Sequence, residues 1–156
     1  MVSKISVGLF TAAVLALGLS SAAMADAKAS IEARQACMKA NGGMMKVMVP
    51  VIKGQKAYDK AAIDAAIANS QKACAGWSGF WGEDTKPGTD AGKAAKTEAK
   101  DEIWSDPAGF EAAGKAYVTA ESAVLASTDE ASFKAAFPAL GKACQGCHEK
   151  FRQADE

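Results

Sequence analysis

The sequence is poor in two features that would point to a catalytic or nucleic-acid-binding protein: histidine, and an excess of charge of one sign. It contains one histidine in 156 residues, and its 18 lysines and arginines match its 18 acidic residues. A balance so close to neutral argues against nucleic acid as the partner. There is no second histidine, no visible nucleophile–base pair and no second metal cluster. We therefore predict that the protein is not an enzyme.

Strand patterns are also missing from the sequence. β-branched runs are short, and no alternating apolar and polar segment of useful length occurs. Alanine is abundant instead, interspersed with lysine, glutamate and glutamine, all of which are strong helix formers. The length suits one domain. An all-α domain is the fold class that this composition favours.

The N-terminal segment is typical of an export signal. Lys4 precedes a run of small and apolar residues, and Ala23, Met24 and Ala25 end it in the manner of a signal peptidase site. The apolar core is short for a membrane span. We predict that residues 1–25 are a cleaved signal peptide, that 26–156 form the mature domain without a membrane span, and that the protein is periplasmic. An uncleaved anchor is the alternative, which the polar residues after Ala25 disfavour.

Apolar periodicity and capping residues predict four helices. The first runs over about 27–48 and ends at Pro50, with one face formed by Ile31, Gln35, Met38, Gly42, Met45 and Val49. The second runs over about 59–76, the third to about 126 after a cap at Ser105 or Asp106, and the fourth starts at Thr128 or Asp129 and is kinked at Pro138. Residues 82–93 are the clearest loop. Mostly short links between such helices predict an antiparallel up-down-up-down four-helix bundle.

The single histidine follows a pair of cysteines near the end of the chain, in the order Cys144, Cys147, His148. Cys-x-x-Cys-His is the attachment pattern of c-type haem, because the two thiols can add to the two vinyl groups while the imidazole reaches the iron. A structural zinc site would need four cysteine or histidine ligands. A thioredoxin-like pair would begin a helix after a strand, and a plain disulfide would not need His148. We therefore predict one covalent haem c.

Three segments give the chain a resemblance to the class II cytochromes c, the cytochrome c′ and cytochrome c-556 group. They are RQACMKANGGMMK in the first helix, TEAKDEIWSDPAGF before the third and CQGCHEKFR in the fourth. The resemblance implies a four-helix bundle with haem attached near the C-terminus and His148 as the proximal ligand. It also places the residue four positions after Arg34, which is Met38, over the other face of the haem.

Two interpretations of Met38 stay open. If its sulfur binds iron, the His–Met pair favours the reduced state, and the protein is a low-spin, c-556-like one-electron carrier. If Met38 only packs on the haem, the iron is five-coordinate as in cytochrome c′ and open to nitric oxide or carbon monoxide. A methionine on a helix is ordinarily core filler. We favour ligation.

The resemblance also implies contacts at the haem edge. Arg34 and Gln35 match residues that can bind a propionate, and Thr97 and Glu98 match the edge segment between the second and third helices. The alternative for these four residues is a solvated surface. Redox proteins of unknown identity are the implied partners, and a homodimer through the first two helices is left open because many relatives pair in this way.

Cys37 and Cys74 are not explained by the haem motif. Export implies an oxidising compartment. If the first two helices are antiparallel and turn near residue 55, the two cysteines lie at the same level. A disulfide and two buried thiols are both compatible with this spacing.

Overall fold

The computed structural model describes residues 13–153 and their side chains from Asp26 onward, with Met24. Within this range the chain is helical and contains no strand, only an isolated bridge between Ala99 and Arg152. The helices are α1 (Ala13–Ile52), α2 (Lys60–Ala73), α3 (Asp90–Ala94), α4 (Glu102–Ser105), α5 (Pro107–Leu125) and α6 (Glu130–Phe151). Short 3₁₀ turns cover Trp77–Phe80 and Glu83–Thr85. The all-α prediction is confirmed.

α1 differs from its prediction at both ends. It does not stop at Pro50, because a proline removes only its own N–H while its φ angle suits a helix. The Pro50 carbonyl instead accepts hydrogen bonds from Gln55 N at 2.8 Å and Lys56 N at 3.2 Å, and Gly54 turns the chain away with φ of 67°. Most of the predicted signal peptide lies outside the described side chains, and residues 1–12 lie outside the description altogether. The backbone is helical across Ala25–Asp26, and cleavage there stays a prediction.

The buried face of α1 is also not the predicted one. Its members are Ala27, Ile31, Arg34, Cys37, Met44, Met48 and Val51. Of the predicted face only Ile31 is fully buried, whereas Gln35, Met38 and Gly42 are exposed. The reason is Arg34, a buried guanidinium that lies in the middle of the true stripe. Apolar periodicity assigns an arginine to the surface, so the predicted face was rotated away from the core.

The helix starts agree with the capping prediction. The side chains of Asp59, Asp106 and Asp129 accept backbone N–H groups three residues on, at 3.0, 3.0 and 2.7 Å. At Asp129 the cap is reciprocal, since Ser132 Oγ accepts from Asp129 N at 3.2 Å. Pro138 lies inside α6, which continues through it as one helix. Each of these caps satisfies a donor that the first turn cannot pair.

The described residues form three apolar clusters, of which two include residues of α6. The larger one joins α1, α2, α5 and α6 and consists of Met44, Met48, Val51, Ile63, Ile67, Ala120, Val124, Phe133 and Leu140. The smaller one lies at the C-terminal end of α6 and centres on Ala99, Ile103 and Phe151. Backbone bonds from Lys100 N to Phe151 O at 3.0 Å and from Gln153 N to Glu98 O at 2.7 Å hold this end of α6 against the segment before α4. No helix in the described range is both long and apolar enough to cross a membrane.

Candidate functional site

The Cys-x-x-Cys pair lies in the last turns of α6, between the two apolar clusters. Cys144 packs against the larger cluster and Cys147 against the smaller one, and both are free, half-buried thiols. Burial raises the pKa of each thiol above its usual value, and the nearby Cys144 raises the pKa of Cys147 further. The two groups are therefore neutral thiols at neutral pH, unlike the activated thiolates of redox enzymes.

The residues around the pair also do not form a metal–thiolate site. Across residues 13–153 no group of three or more histidine, cysteine, aspartate or glutamate side chains could hold a metal ion. His148 follows Cys147 directly and its side chain is exposed. The C-terminal end of α6 is also held by an ion pair, in which Arg152 Nε donates to Glu98 Oε2 at 2.7 Å. Two neutral, half-buried thiols followed by an exposed imidazole are the donor set that covalent haem attachment uses.

Met38 lies on an open strip of α1. Met38 is 36% exposed, and Gly42 one turn later is also exposed. A Cβ atom added to Gly42 or Gly43 would meet no atom within 4 Å. The glycines therefore serve no packing contact within the described part of the chain. The strip that they form with Met38 has room for a flat, bulky group.

Arg34 lies one helix turn before Met38 and is buried, with 3% of its surface exposed. Its terminal nitrogens donate to Thr85 Oγ1 at 3.0 Å, Thr85 O at 2.9 Å, Thr97 Oγ1 at 2.6 Å and Phe80 O at 3.2 Å. The guanidinium carbon lies 4.6 Å from the centroid of the Trp81 ring. Burial lowers the pKa of Arg34 to about 10, so it stays a cation at neutral pH, surrounded by carbonyl, hydroxyl and aromatic groups.

The four predicted haem-edge residues fall into two groups. Arg34 and Thr97 contact each other, and Gln35 reaches the same segment through a 3.0 Å bond from Nε2 to Ala95 O. Glu98 is exposed and is paired with Arg152. The solvated-surface alternative is wrong for Arg34, while Gln35 and Glu98 do lie at the surface. That any of them contacts haem stays a prediction.

One buried donor in this region has no acceptor. The indole Nε1 of Trp81 is buried and has no hydrogen-bond partner among the described residues, although the ring packs against Arg34, Trp77, Trp104 and Phe110. A buried N–H without a partner costs about 1–3 kcal/mol. A carboxylate such as a haem propionate would accept this N–H and would also balance the charge of Arg34. The chemistry of the region therefore fits haem.

The remaining cysteines form a disulfide. Cys37 in α1 and Cys74 at the end of α2 are bonded, with their Cα atoms 4.6 Å apart. Of the two alternatives that the sequence left open, the bridge is the one the structure shows. The four cysteines thus divide into one oxidised pair between helices and one reduced pair in α6, and only the reduced pair is available for thioether bonds.

Comparison with known proteins agrees with this geometry. Residues 29–152 match the family model described as cytochrome c′. The chain belongs to the cytochrome c′ family. Cytochrome c-556 of Rhodopseudomonas palustris is 30% identical over 141 residues, which cover 90% of this chain and 93% of the relative. Members of the family bind one covalent haem c, and haem c is the cofactor of this protein.

Solved structures in the cytochrome c′ family share the fold of this chain. Cytochrome c′ of Rhodobacter sphaeroides has a TM-score of 0.71 at 27% identity, covering 83% of this chain and 98% of that one. A ferrous variant of cytochrome c prime of Alcaligenes xylosoxidans, which has nitric oxide bound, has a TM-score of 0.68 at 27% identity, covering 81% of this chain and 94% of that one. The family therefore includes both proteins named c-556 and proteins named c′.

A polar network inside the bundle was not found by sequence reasoning. Tyr117 Oη lies 2.5 Å from Glu121 Oε1 and 3.0 Å from Asn41 Oδ1, and Gln71 Nε2 donates to Glu121 Oε2 at 3.0 Å. The Ser70 hydroxyl donates to Asn41 Oδ1. Burial, and next the bond to Glu121, raise the pKa of Tyr117. The only local signal was the four-residue spacing of Tyr117 and Glu121, which places both on one side of α5.

Proposed function

We propose that the protein is an exported, low-spin one-electron carrier of the c-556 type. In this proposal Cys144 and Cys147 hold the haem through thioether bonds, His148 is the proximal axial ligand and Met38 is the distal one. When bound, the haem accepts and releases one electron at its iron. The observation that carries the proposal is the pair of neutral, half-buried thiols directly followed by His148, in a chain of the cytochrome c′ family.

The other residues of the site would orient the cofactor and keep water away from it. The rings of Trp81, Trp104 and Phe110 pack against the same Ala99, Ile103 and Phe151 cluster as Cys147 and make this end of the bundle apolar. Trp81 Nε1 and the buried charge of Arg34 supply one donor and one cation for a propionate. Nearby cationic charge favours the reduced form of a redox centre that gains negative charge on reduction. Gln35 is exposed beside Arg34 and is a second candidate donor.

Location in the periplasm belongs to the same proposal. It is supported by the predicted signal peptide and by the Cys37–Cys74 disulfide, because disulfides persist mainly in oxidising compartments. Electrons would be exchanged there with redox partner proteins, and the haem-anchoring turn of α6 reaches the surface at His148. A partner would therefore approach close to the proximal side of the site.

A second candidate function is binding of a diatomic gas by five-coordinate iron. One observation favours it: a solved relative has nitric oxide bound. In this case Met38 would border the distal face without binding iron. The mature chain would then buffer or sense the gas.

Absorption spectra of the oxidised and reduced holoprotein separate the two functions. Met38 ligation predicts sharp reduced bands, a weak sulfur-to-iron band near the red edge and only a slow change after carbon monoxide is added. Met38→Ala should convert this spectrum into a broad high-spin one that responds to carbon monoxide. Met45→Ala is the matched control, since Met45 lies on the same helix but packs against the core, and its spectrum should stay low-spin. A wild-type spectrum that is already broad and responds to carbon monoxide would support the second function instead.

A further inference from the structure

The turn of α1 that carries Met38 is tied to α2 on both sides of that residue. Cys37, one residue before, is bonded to Cys74. Asn41, three residues after, accepts a hydrogen bond from Ser70. Cys37 and Asn41 lie four residues apart on α1, and Ser70 and Cys74 lie four residues apart at the end of α2. Since residues four apart share a helix face, two successive turns of α1 are fastened to two successive turns of α2.

Each attachment has one buried partner, whereas Cys74 and Asn41 are half-buried. Cys37 is 1% exposed and Ser70 is fully buried. Asn41 has a further contact at 3.0 Å with Tyr117 Oη, which brings in α5. Met38 is the next residue after Cys37, about 100° further round the helix, so it faces away from the disulfide and is exposed. The position of its sulfur therefore depends on how firmly this turn is held.

We propose that Cys37, Cys74, Asn41 and Ser70 form a distal clamp, a set of positioning residues that fixes Met38 over the haem and makes its ligation sensitive to thiol reductants. The inference rests on the proposed function. Opening the clamp with a dithiol reductant transfers two electrons and two protons: the Cys37–Cys74 bond breaks, two thiols form, and the reductant becomes a disulfide. The haem takes no part in this exchange, and its thioether bonds are not disulfides, so they remain.

The test measures carbon monoxide binding to the ferrous holoprotein, reduced with ascorbate, before and after treatment with dithiothreitol. Carbon monoxide must displace Met38, so a loosened turn should raise the rate of binding by about threefold or more, a size usual for coupled neighbouring groups. A mass gain of two hydrogens verifies the opened disulfide. In the Cys37→Ser/Cys74→Ser variant binding should be fast without dithiol and should not change on adding it.

Met38→Ala, run in the same assay, separates the clamp from the ligand assignment. The clamp predicts that this variant binds carbon monoxide fast and does not respond to dithiothreitol. An unchanged wild-type rate with a verified open disulfide would overturn the clamp while leaving Met38 ligation intact. A dithiol response that persists in Met38→Ala would overturn the clamp too, because the effect would not pass through Met38. If Met38→Ala leaves the spectrum unaltered, the ligand assignment and the clamp both fail.

A milder pair of variants tests the polar half of the clamp without touching the disulfide. Ser70→Ala removes the donor to Asn41 and should raise the carbon monoxide rate by about twofold, consistent with the loss of one hydrogen bond. Asn69→Ala changes the exposed neighbour on α2 and should leave the rate as in the wild type. Equal rates in both variants and the wild type would remove Ser70 from the clamp.

Discussion

α6 and α1 carry the two proposed iron ligands, but different kinds of contact hold them. The ligand end of α6 is fixed by backbone bonds to Lys100 and Glu98 in the segment before α4, and its start by a cap within four residues at Asp129. α1 is held by side chains that reach far along the chain. Arg34 bonds to Thr97, 63 residues away, and Asn41 contacts Tyr117, 76 residues away.

This difference explains why the functional residues of α6 are easier to identify from the sequence than those of α1. The chemistry of α6 lies in one contiguous motif, so its residues can be identified from their order alone. The chemistry of α1 depends on partners that only the tertiary structure brings close. Substitutions in the Cys144–Cys147–His148 motif should therefore act on the cofactor directly, whereas those at Cys37 and Arg34 in α1 should act through packing and stability.

The same substitution should affect haem attachment at one cysteine pair and stability at the other. Cys144→Ser/Cys147→Ser should abolish covalent haem, so that acid–acetone extraction removes all pigment from the polypeptide. Cys37→Ser/Cys74→Ser should keep the haem but lower the free energy of unfolding by roughly 2–4 kcal/mol, because a loop closed across 37 residues is released. Urea denaturation of the holoprotein measures the loss. Pigment that survives extraction in the first variant would contradict the assignment of the α6 pair.

Substitutions of the neighbouring residues Arg34 and Gln35 on α1 should also differ strongly in their effect on the free energy of unfolding. Arg34→Ala leaves Thr85, Thr97 and Phe80 oxygens without their buried donor and should cost about 3 kcal/mol of unfolding free energy. Gln35→Ala removes one exposed bond to Ala95 O and should cost less than about 1 kcal/mol. Both are read from urea denaturation at neutral pH. Equal losses would show that the burial of Arg34 does not stabilise the fold.

The smallest effect on the free energy of unfolding should come from substituting Asp129, the cap of α6, and this effect should depend on pH. Backbone and side-chain bonds from Ser132 hold the pKa of Asp129 below its usual value. Its charge therefore stabilises the folded state above the unfolded pKa, and this contribution is lost as the pH falls through the folded pKa. Asp129→Asn keeps a capping oxygen but loses the charge. Urea denaturation should find the variant less stable than the wild type at neutral pH and equal to it in acid; a difference that does not change with pH would contradict the cap assignment.

The parts of the fold predicted from the sequence are those with local causes. Asp59, Asp106 and Asp129 were identified as caps or candidate caps because a cap and its helix are adjacent. The Cys144–Cys147–His148 motif was identified because the order of its residues is the pattern of covalent haem attachment. The prediction of the buried face of α1 was wrong because Arg34 is stabilised by the 80–97 segment. Glu121 was missed because its partners Tyr117 and Gln71 lie on two different helices, α5 and α2. Buried polar groups depend on partners that only the tertiary structure brings close. The periodicity of apolar residues in the sequence does not indicate those partners.

The central claim is that the Met38 sulfur binds the haem iron opposite His148, and proton NMR of the ferrous holoprotein tests it most directly. A methyl group held above the porphyrin by an Fe–S bond lies in the strongest part of the ring current. Ligation by Met38 predicts a strongly upfield three-proton resonance that disappears in Met38→Ala and stays in Met45→Ala. A ferrous spectrum without such a resonance, or one in which it survives the loss of Met38, would contradict the account.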